Sequence, residues 1–304
     1  MSAVRSYPFV TVDVFTDRRF GGNPLAVFPD ARGLSDAEMQ ALAAEFNLSE
    51  TTFVLPPDDP AHTARVRIFN RTAEMAFAGH PNVGTGCVLA EAGRDRSGVL
   101  LFEEIAGLVE VRVDRDAATG AVAGATIAAP RPLSLGQTLT PGTVAALASL
   151  SPRDVLTAAH APVLASVGNA FFVAEVAAGA LSRAAPDLAA FPRARAEAAP
   201  ADGRLSLYLY ARDGRAGDRH RVRARMFAPL AGTVEDAATG SAATPLAALL
   251  LSLSGEDEAA YDIVQGVEMG RPSLLRATAR RAPDGVRATV GGGCVPVLRG
   301  EALV

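Results

Sequence analysis

His80-Pro81-Asn82-Val83-Gly84-Thr85 and Asp236-Ala237-Ala238-Thr239-Gly240-Ser241 decide the fold, because each reads as the opening of a helix in a similar setting. Each is a titratable residue, three further residues, a glycine and a hydroxyl. Each follows a strand headed by the same triplet, Arg65-Val66-Arg67 in one case and Arg221-Val222-Arg223 in the other. Pro81 suits a first helical turn, where its missing N–H would be unpaired anyway. The first helix is expected to run to about Ala92 and stop at Gly93; the second is expected from Ala237 to Leu253. Two motifs recurring at the same structural place indicate an internal repeat. The expected fold is α/β (α+β), with two similar lobes related by a pseudo-twofold axis, each a mixed sheet or barrel around a central helix.

The flanking residues fill in both lobes. Phe9 to Phe15, Leu25 to Phe28, Thr51 to Leu55 and Arg65 to Phe69 read as strands. Ser35 with Glu38 forms a capping box for a helix that turns Met39, Leu42, Ala43 and Phe46 to one face. Strands near Val99 to Phe102, Leu108 to Val113 and Ala125 to Ala128 complete the first lobe. Pro130 to Pro141 is rich in turn formers and marks a boundary, giving lobes 1–130 and 131–304, with room for the last strands to pack back on the first. In the second lobe, strands are expected at Arg221 to Phe227 and near Ile263, Leu274, Val286 and Cys294. Ala174 to Ala201 reads as one helix and an exposed loop.

Composition narrows the chemistry. The 304 residues carry a formal charge of −4, which offers no broad positive field for nucleic acid or anionic lipid. Cys87 and Cys294 are the only cysteines and form no CxxC pair, which argues against a disulfide framework or a zinc site. His62, His80, His160 and His220 show no metal-ligand spacing, and no metal is expected. No lysine occurs anywhere, so a pyridoxal Schiff base and a Walker-type phosphate loop are both excluded. The N-terminus lacks an apolar signal core and no apolar run is long enough to span a bilayer, so a soluble cytoplasmic protein is expected. Arg221, Arg223 and Arg225 alternate as one solvated strand face rather than a nucleic-acid patch.

Two helix N-termini facing each other across a cleft would offer unpaired N–H groups and positive dipole ends, a setting for a small carboxylate. Gly79, Gly84 and Gly240 would let a ligand approach the backbone, although close helix–strand packing explains such glycines equally well. Glu50, where a helix ends and a strand begins, is the candidate base; His80 and Asp236 join it as candidates for acid–base chemistry. The plainer roles remain beside these: a surface glutamate, a satisfied core histidine and an N-cap aspartate. A thiol-based racemase is disfavoured, because Gly79-His80 and Glu235-Asp236 stand where its cysteines would be. If Thr52-Phe53-Val54 is matched with Phe171-Phe172-Val173, the place of Glu50 falls on Asn169. One carboxylate on one face then suits a hydrogen shift rather than a two-base inversion. Partial burial would raise the pKa of Glu50, and a protonated His80 beside it would lower it.

Several longer motifs carry a family resemblance over nearly the whole chain: Val12-Asp13-Val14-Phe15-Thr16, Gly22-Asn23-Pro24-Leu25-Ala26-Val27, Asn47-Leu48-Ser49-Glu50-Thr51, Phe77-Ala78-Gly79-His80-Pro81, Glu235 through Ser241, and Gly291-Gly292. The sequence resembles the PhzF-like (phenazine biosynthesis) family, whose fold is similar to that of diaminopimelate epimerase. The resemblance implies two lobes with the site between them and a homodimer that works without a cofactor on a small-molecule carboxylate. It implies an isomerase, acting in the phenazine enzymes on 2,3-dihydro-3-hydroxyanthranilate. It puts the proton-moving glutamate on Glu50, the amine- and carboxylate-side partners on His80 and Asp236, and ligand-holding groups on Gly79, Gly240 and Ser241. Ala237 departs from the family, which usually has proline there, and so does the turn Asn70-Arg71-Thr72. The rival readings are an epimerase or racemase of an amino-acid derivative, and a binding protein that kept the cleft without turnover.

Overall fold

The computed structural model describes residues 4–198, 203 and 205–304. Its contacts divide the chain into two units, Met1–Ala128 with Gly291–Val304, and Ala129–Val290.

In the first unit β1 (Ser6–Val14) lies antiparallel to β2 (Asn23–Phe28), and along its other edge to the C-terminal strand Cys294–Leu303. Helix α1 (Asp36–Phe46) returns the chain to β3 (Glu50–Leu55), parallel to β2. β4 (Ala64–Phe69) and the short β5 (Glu74–Met75) follow as antiparallel neighbours. Helix α2 (Gly79–Glu91) then crosses to β6 (Val99–Glu104), parallel to β4, and β7 (Gly107–Arg115) and β8 (Val122–Ala128) close the meander.

Helix α2 packs on β1, β2, β3, β7 and β8. That surround explains its composition: from Gly79 to Ala90 every residue except Val88 is buried, and a helix without a polar face is a core helix. Gly84 is required there. A Cβ on it would stand 2.6 Å from Leu25 Cδ2 and 2.8 Å from Val14 Cγ2. Its role is helix–strand packing, and the expectation that it admits a ligand is corrected. On the other side of the sheet α1 has its Ser35–Glu38 capping box and buries Met39 and Ala43, with Phe46 edge-on to Phe9 and Phe28.

The second unit begins with β9 (Ser134–Thr138), α3 (Pro141–Leu147), β10 (Val155–Leu156), β11 (Val163–Ser166) and β12 (Ala170–Val176). Short helices α4 (Ala178–Leu181) and α5 (Ala190–Ala198) lead to β13 (Leu207–Ala216) and β14 (Arg219–Ala228). β15 (Thr233–Asp236), α6 (Gly240–Ser252), β16 (Glu258–Gln265), β17 (Ser273–Ala282) and β18 (Gly285–Gly292) complete it; Cys294–Leu303 is β19. The sheet is mixed: β12 with β13 and β14 with β16 are parallel, while β13 with β14 and β16 with β17 are antiparallel. Helix α6 packs on β11, β12, β16 and β17 and buries every residue but Ser241 and Ser252. A second core layer, from α3, α4 and α5, covers the far face of the sheet around Phe172, Phe191 and Phe227.

Three sequence expectations differ from this fold. The stretch Ala174–Ala201 is the end of β12 followed by α4 and α5, with its last residues outside those described. Helix α6 starts at Gly240 rather than Ala237, because Asp236 is still strand, paired with Met226 of β14. Arg225 is 6% exposed, so it does not share a solvated face with Arg221; the layer of α4 and the residues after it covers that end of β14.

The internal repeat is present in a shifted register. Gly79 and Gly240 each open a 13-residue helix, so Gly240 answers to Gly79 rather than to Gly84, and Ser241 to His80. The supports repeat too. Arg67 holds Glu74 through Nε and Nη2 at 2.7 and 2.6 Å, and its guanidinium lies 5.1 Å from the Phe69 ring centroid. Arg225 holds Glu235 the same way at 2.8 and 2.8 Å, 5.0 Å from the centroid of Phe227. Each bidentate pair ties the segment entering the helix to the preceding strand.

Candidate active site

Glu50 is the first residue of β3 and is set beside Leu25 of β2. Along β3 its side chain shares a face with Thr52, whose hydroxyl meets Thr85 of α2 at 2.8 Å. That face therefore looks onto α2, and Glu50 Oε2 lies 3.2 Å from His80 Nδ1. The two side chains are 17% and 5% exposed, so the carboxylate can be reached from solvent while the imidazole is enclosed.

Burial pushes the His80 pKa down to about 3, against a smaller upward pull from a hydrogen bond to the Pro24 backbone. His80 is therefore neutral at physiological pH and puts no positive charge beside Glu50. A neutral imidazole has one N–H and one lone pair. Nδ1 faces the Glu50 carboxylate, an acceptor, so the proton is assigned to Nδ1. Nε2 then carries the lone pair, and it is buried without a hydrogen-bond partner. Buried polar atoms are nearly always paired, which makes an orphaned Nε2 an acceptor suited to an N–H or O–H of a ligand.

The two central helix starts share a further property. Neither α2, with Ala78 at its N-cap, nor α6, with Thr239, has a side-chain cap, whereas α1 and α3 are capped by Ser35 and Thr140. The first-turn N–H groups of Gly79 and His80, and of Gly240 and Ser241, are left by the caps for other acceptors.

In the second unit Asp236 ends β15, and its Oδ2 accepts a 2.7 Å hydrogen bond from the Thr239 hydroxyl. It does not cap α6. Gln265, Tyr208 and Ser273 surround this lead-in; sequence reasoning missed them, together with the Arg67–Glu74 and Arg225–Glu235 pairs. The available signal was Gln265-Gly266, where a strand ends on a glycine with φ of +75°. The turn Asn70-Arg71-Thr72 is closed by Asn70 Oδ1, which accepts from the Thr72 and Ala73 amides, each at 2.8 Å. Among the described residues no group of three His, Cys, Asp or Glu side chains could hold a metal, and no helix is long and apolar enough to cross a membrane.

A protein-family profile described as phenazine biosynthesis-like protein matches residues 12–300. The chain is 37% identical over 302 residues to the trans-2,3-dihydro-3-hydroxyanthranilate isomerase of Pseudomonas chlororaphis, covering 97% of this chain and 99% of the other. Its structure is similar to that of a PhzF-family phenazine biosynthesis protein from Bacillus anthracis, with a TM-score of 0.87 and 23% identity over 99% and 100% of the two chains. It also matches a hydroxyproline epimerase from Agrobacterium vitis, with a TM-score of 0.60 and 14% identity over 99% and 93% of the two chains, a likeness of fold alone. Fold and relatives define an isomerase of mixed α/β architecture, as the sequence motifs implied. The chain belongs to the phenazine biosynthesis-like (PhzF) family.

Proposed function

We propose that the protein is a cofactor-independent isomerase that moves a proton on a small cyclic or amino-acid-like carboxylate of the trans-2,3-dihydro-3-hydroxyanthranilate type. The observation that carries this reading is the contact of Glu50 Oε2 with His80 Nδ1 at 3.2 Å, with His80 held neutral by its burial. Glu50 takes the proton from one carbon and returns it to another. His80 orients the carboxylate through Nδ1–H and offers Nε2 to a substrate N–H or O–H. A neutral donor leaves the carboxylate a stronger base than a cation would. On the family resemblance Asp236 joins Glu50 and His80 as a catalytic residue that binds the substrate near its amine and carboxylate, Gly79, Gly240 and Ser241 are assigned to substrate binding, and the protein to a cytoplasmic homodimer; a monomer by light scattering would remove the dimer.

The test is carbon-bound deuterium uptake from heavy water, followed by NMR with trans-2,3-dihydro-3-hydroxyanthranilate, for wild type beside Glu50→Gln. Loss of a general base costs roughly a hundredfold to ten-thousandfold in rate. Equal uptake by both proteins rejects Glu50 as the base. A product that is only the mirror-image epimer of the substrate rejects the hydrogen shift.

A further inference from the structure

Gln265, the last residue of β16, is 1% exposed, and every hydrogen-bonding position of its amide is filled. Oε1 accepts from the Tyr208 hydroxyl at 3.1 Å and from the Thr239 N–H at 3.3 Å. Nε2 donates to the Asp236 carbonyl at 2.9 Å and to Thr239 Oγ1 at 3.0 Å. An amide has two lone pairs and two N–H groups, so these four bonds saturate it. They also fix its orientation, since the Asp236 carbonyl can only accept. The neighbouring residues grip the same lead-in. Ser273 Oγ donates to the Ala237 carbonyl at 3.1 Å, and a Cβ on Gly266 would stand 2.5 Å from that carbonyl oxygen.

One consequence concerns the direction of a single proton. Thr239 Oγ1 receives Gln265 Nε2–H, so its own hydrogen is directed at Asp236 Oδ2, where the 2.7 Å bond is found. The carboxylate is thus oriented through its backbone carbonyl and through its side chain by one glutamine. We infer that Gln265 is the positioning residue that sets the Asp236 carboxylate and the start of α6 for substrate binding. The inference rests on the reading that Asp236 binds substrate.

Gln265→Leu removes all four bonds with little change of volume; Gln265→Glu keeps the acceptors and loses the donors. With trans-2,3-dihydro-3-hydroxyanthranilate as the probe, and folding checked by thermal unfolding, Gln265→Leu is expected to raise KM by about tenfold to a hundredfold, the effect of leaving buried polar partners unpaired. Burial and the neighbouring Asp236 push the new carboxyl up, and its protonation restores a donor, so Gln265→Glu regains affinity as pH falls from about 9 to 6 and Gln265→Leu does not. A packing role alone would give both variants the same pH profile. The double variant with Asp236→Asn is expected to be no worse than Asp236→Asn itself. An impaired Asp236→Asn beside a normal Gln265→Leu, or additive losses, overturns the role of Gln265. A normal Asp236→Asn rejects the binding role of Asp236 and takes this inference with it. A readout without substrate is the Asp236 carboxyl carbon signal in 13C-labelled protein, assigned by its absence in Asp236→Asn. Its chemical shift is expected to move in Gln265→Leu, where the Thr239 hydroxyl is no longer held toward the carboxylate by the glutamine. An unmoved signal overturns the inference whatever the substrate.

Discussion

Replacing Glu104 by glutamine should make the protein more stable in alkaline solution and change little in acid. Glu104 ends β6 on the face that buries Leu100 and Phe102, and both its carboxyl oxygens are enclosed without a hydrogen-bond partner. Burial raises its pKa from 4.5 to about 8, a rise partly offset by the Asn82 side chain. In the unfolded chain the group ionises near its ordinary value, so between pH 4.5 and about 8 the folded state holds a proton that the unfolded state releases. Stability from this group is therefore undiminished below pH 4.5 and falls as pH rises through that window. Each pH unit is worth about 1.4 kcal/mol, so the whole window approaches about 5 kcal/mol, and relaxation around an ionised carboxylate reduces this to about 2–3. Urea unfolding of wild type and Glu104→Gln at pH 5, 7 and 9, with hydrogen exchange in α2 as a local probe, measures the difference directly. The variant should match wild type within about 1 kcal/mol at pH 5 and exceed it by about 2–3 at pH 9. The opposite slope from His80 is common to both proteins and cancels. A difference that is flat across pH refutes the reasoning.

The His80 ring should show no titration between pH 8 and 5 in its C2–H NMR signal, because its folded pKa is near 3; a midpoint near 6.5 would mean that the imidazole is solvated. Since that pKa is depressed, stability from this residue falls as pH drops from about 6.5 toward 3, and His80→Gln should flatten that slope in acid unfolding curves. Gly84→Ala gains up to about 1 kcal/mol of helix propensity but pushes Leu25 and Val14 aside; overpacking of about 1–3 kcal/mol should win, giving a lower melting temperature. Arg225→Leu strands Glu235 in a partly buried position and should cost about 3–5 kcal/mol, with Arg225→Lys intermediate because an ammonium cannot hold the carboxylate through two parallel bonds. Equal stability of all three proteins would show that the pair holds nothing.

Local signals carried much of the fold. Ser35 and Glu38 set the start of α1 through side-chain bonds between near neighbours, and Pro81 with Gly93 bracketed α2. The start of α6 was misread because an aspartate before an apolar run looks like an N-cap, while here the backbone of Asp236 is engaged by β14, a contact between distant elements. Arg225 was misread for a similar reason. Strand alternation assigns a residue to a face but does not say whether another layer covers that face, and α4 does. The Glu50–His80 contact was legible as two conspicuous residues in family motifs, yet the neutrality of His80 came only from its enclosure. Gln265 left a faint trace in the sequence, since nothing local marks a glutamine as the centre of four hydrogen bonds.

The pairing of β1 with β19 has a consequence for synthesis. β1 leaves the ribosome before Ala129–Val290, but its outer edge is bonded to residues made only after the whole of that segment. The segment Ala129–Val290 is continuous in the chain, whereas the sheet of the first unit must wait with an open edge. Translation therefore favours a nascent chain in which the segment made second folds first, and the earlier one is finished last. Until then the exposed edge of β1 is the natural point of capture for a chaperone, or of mispairing with another nascent chain.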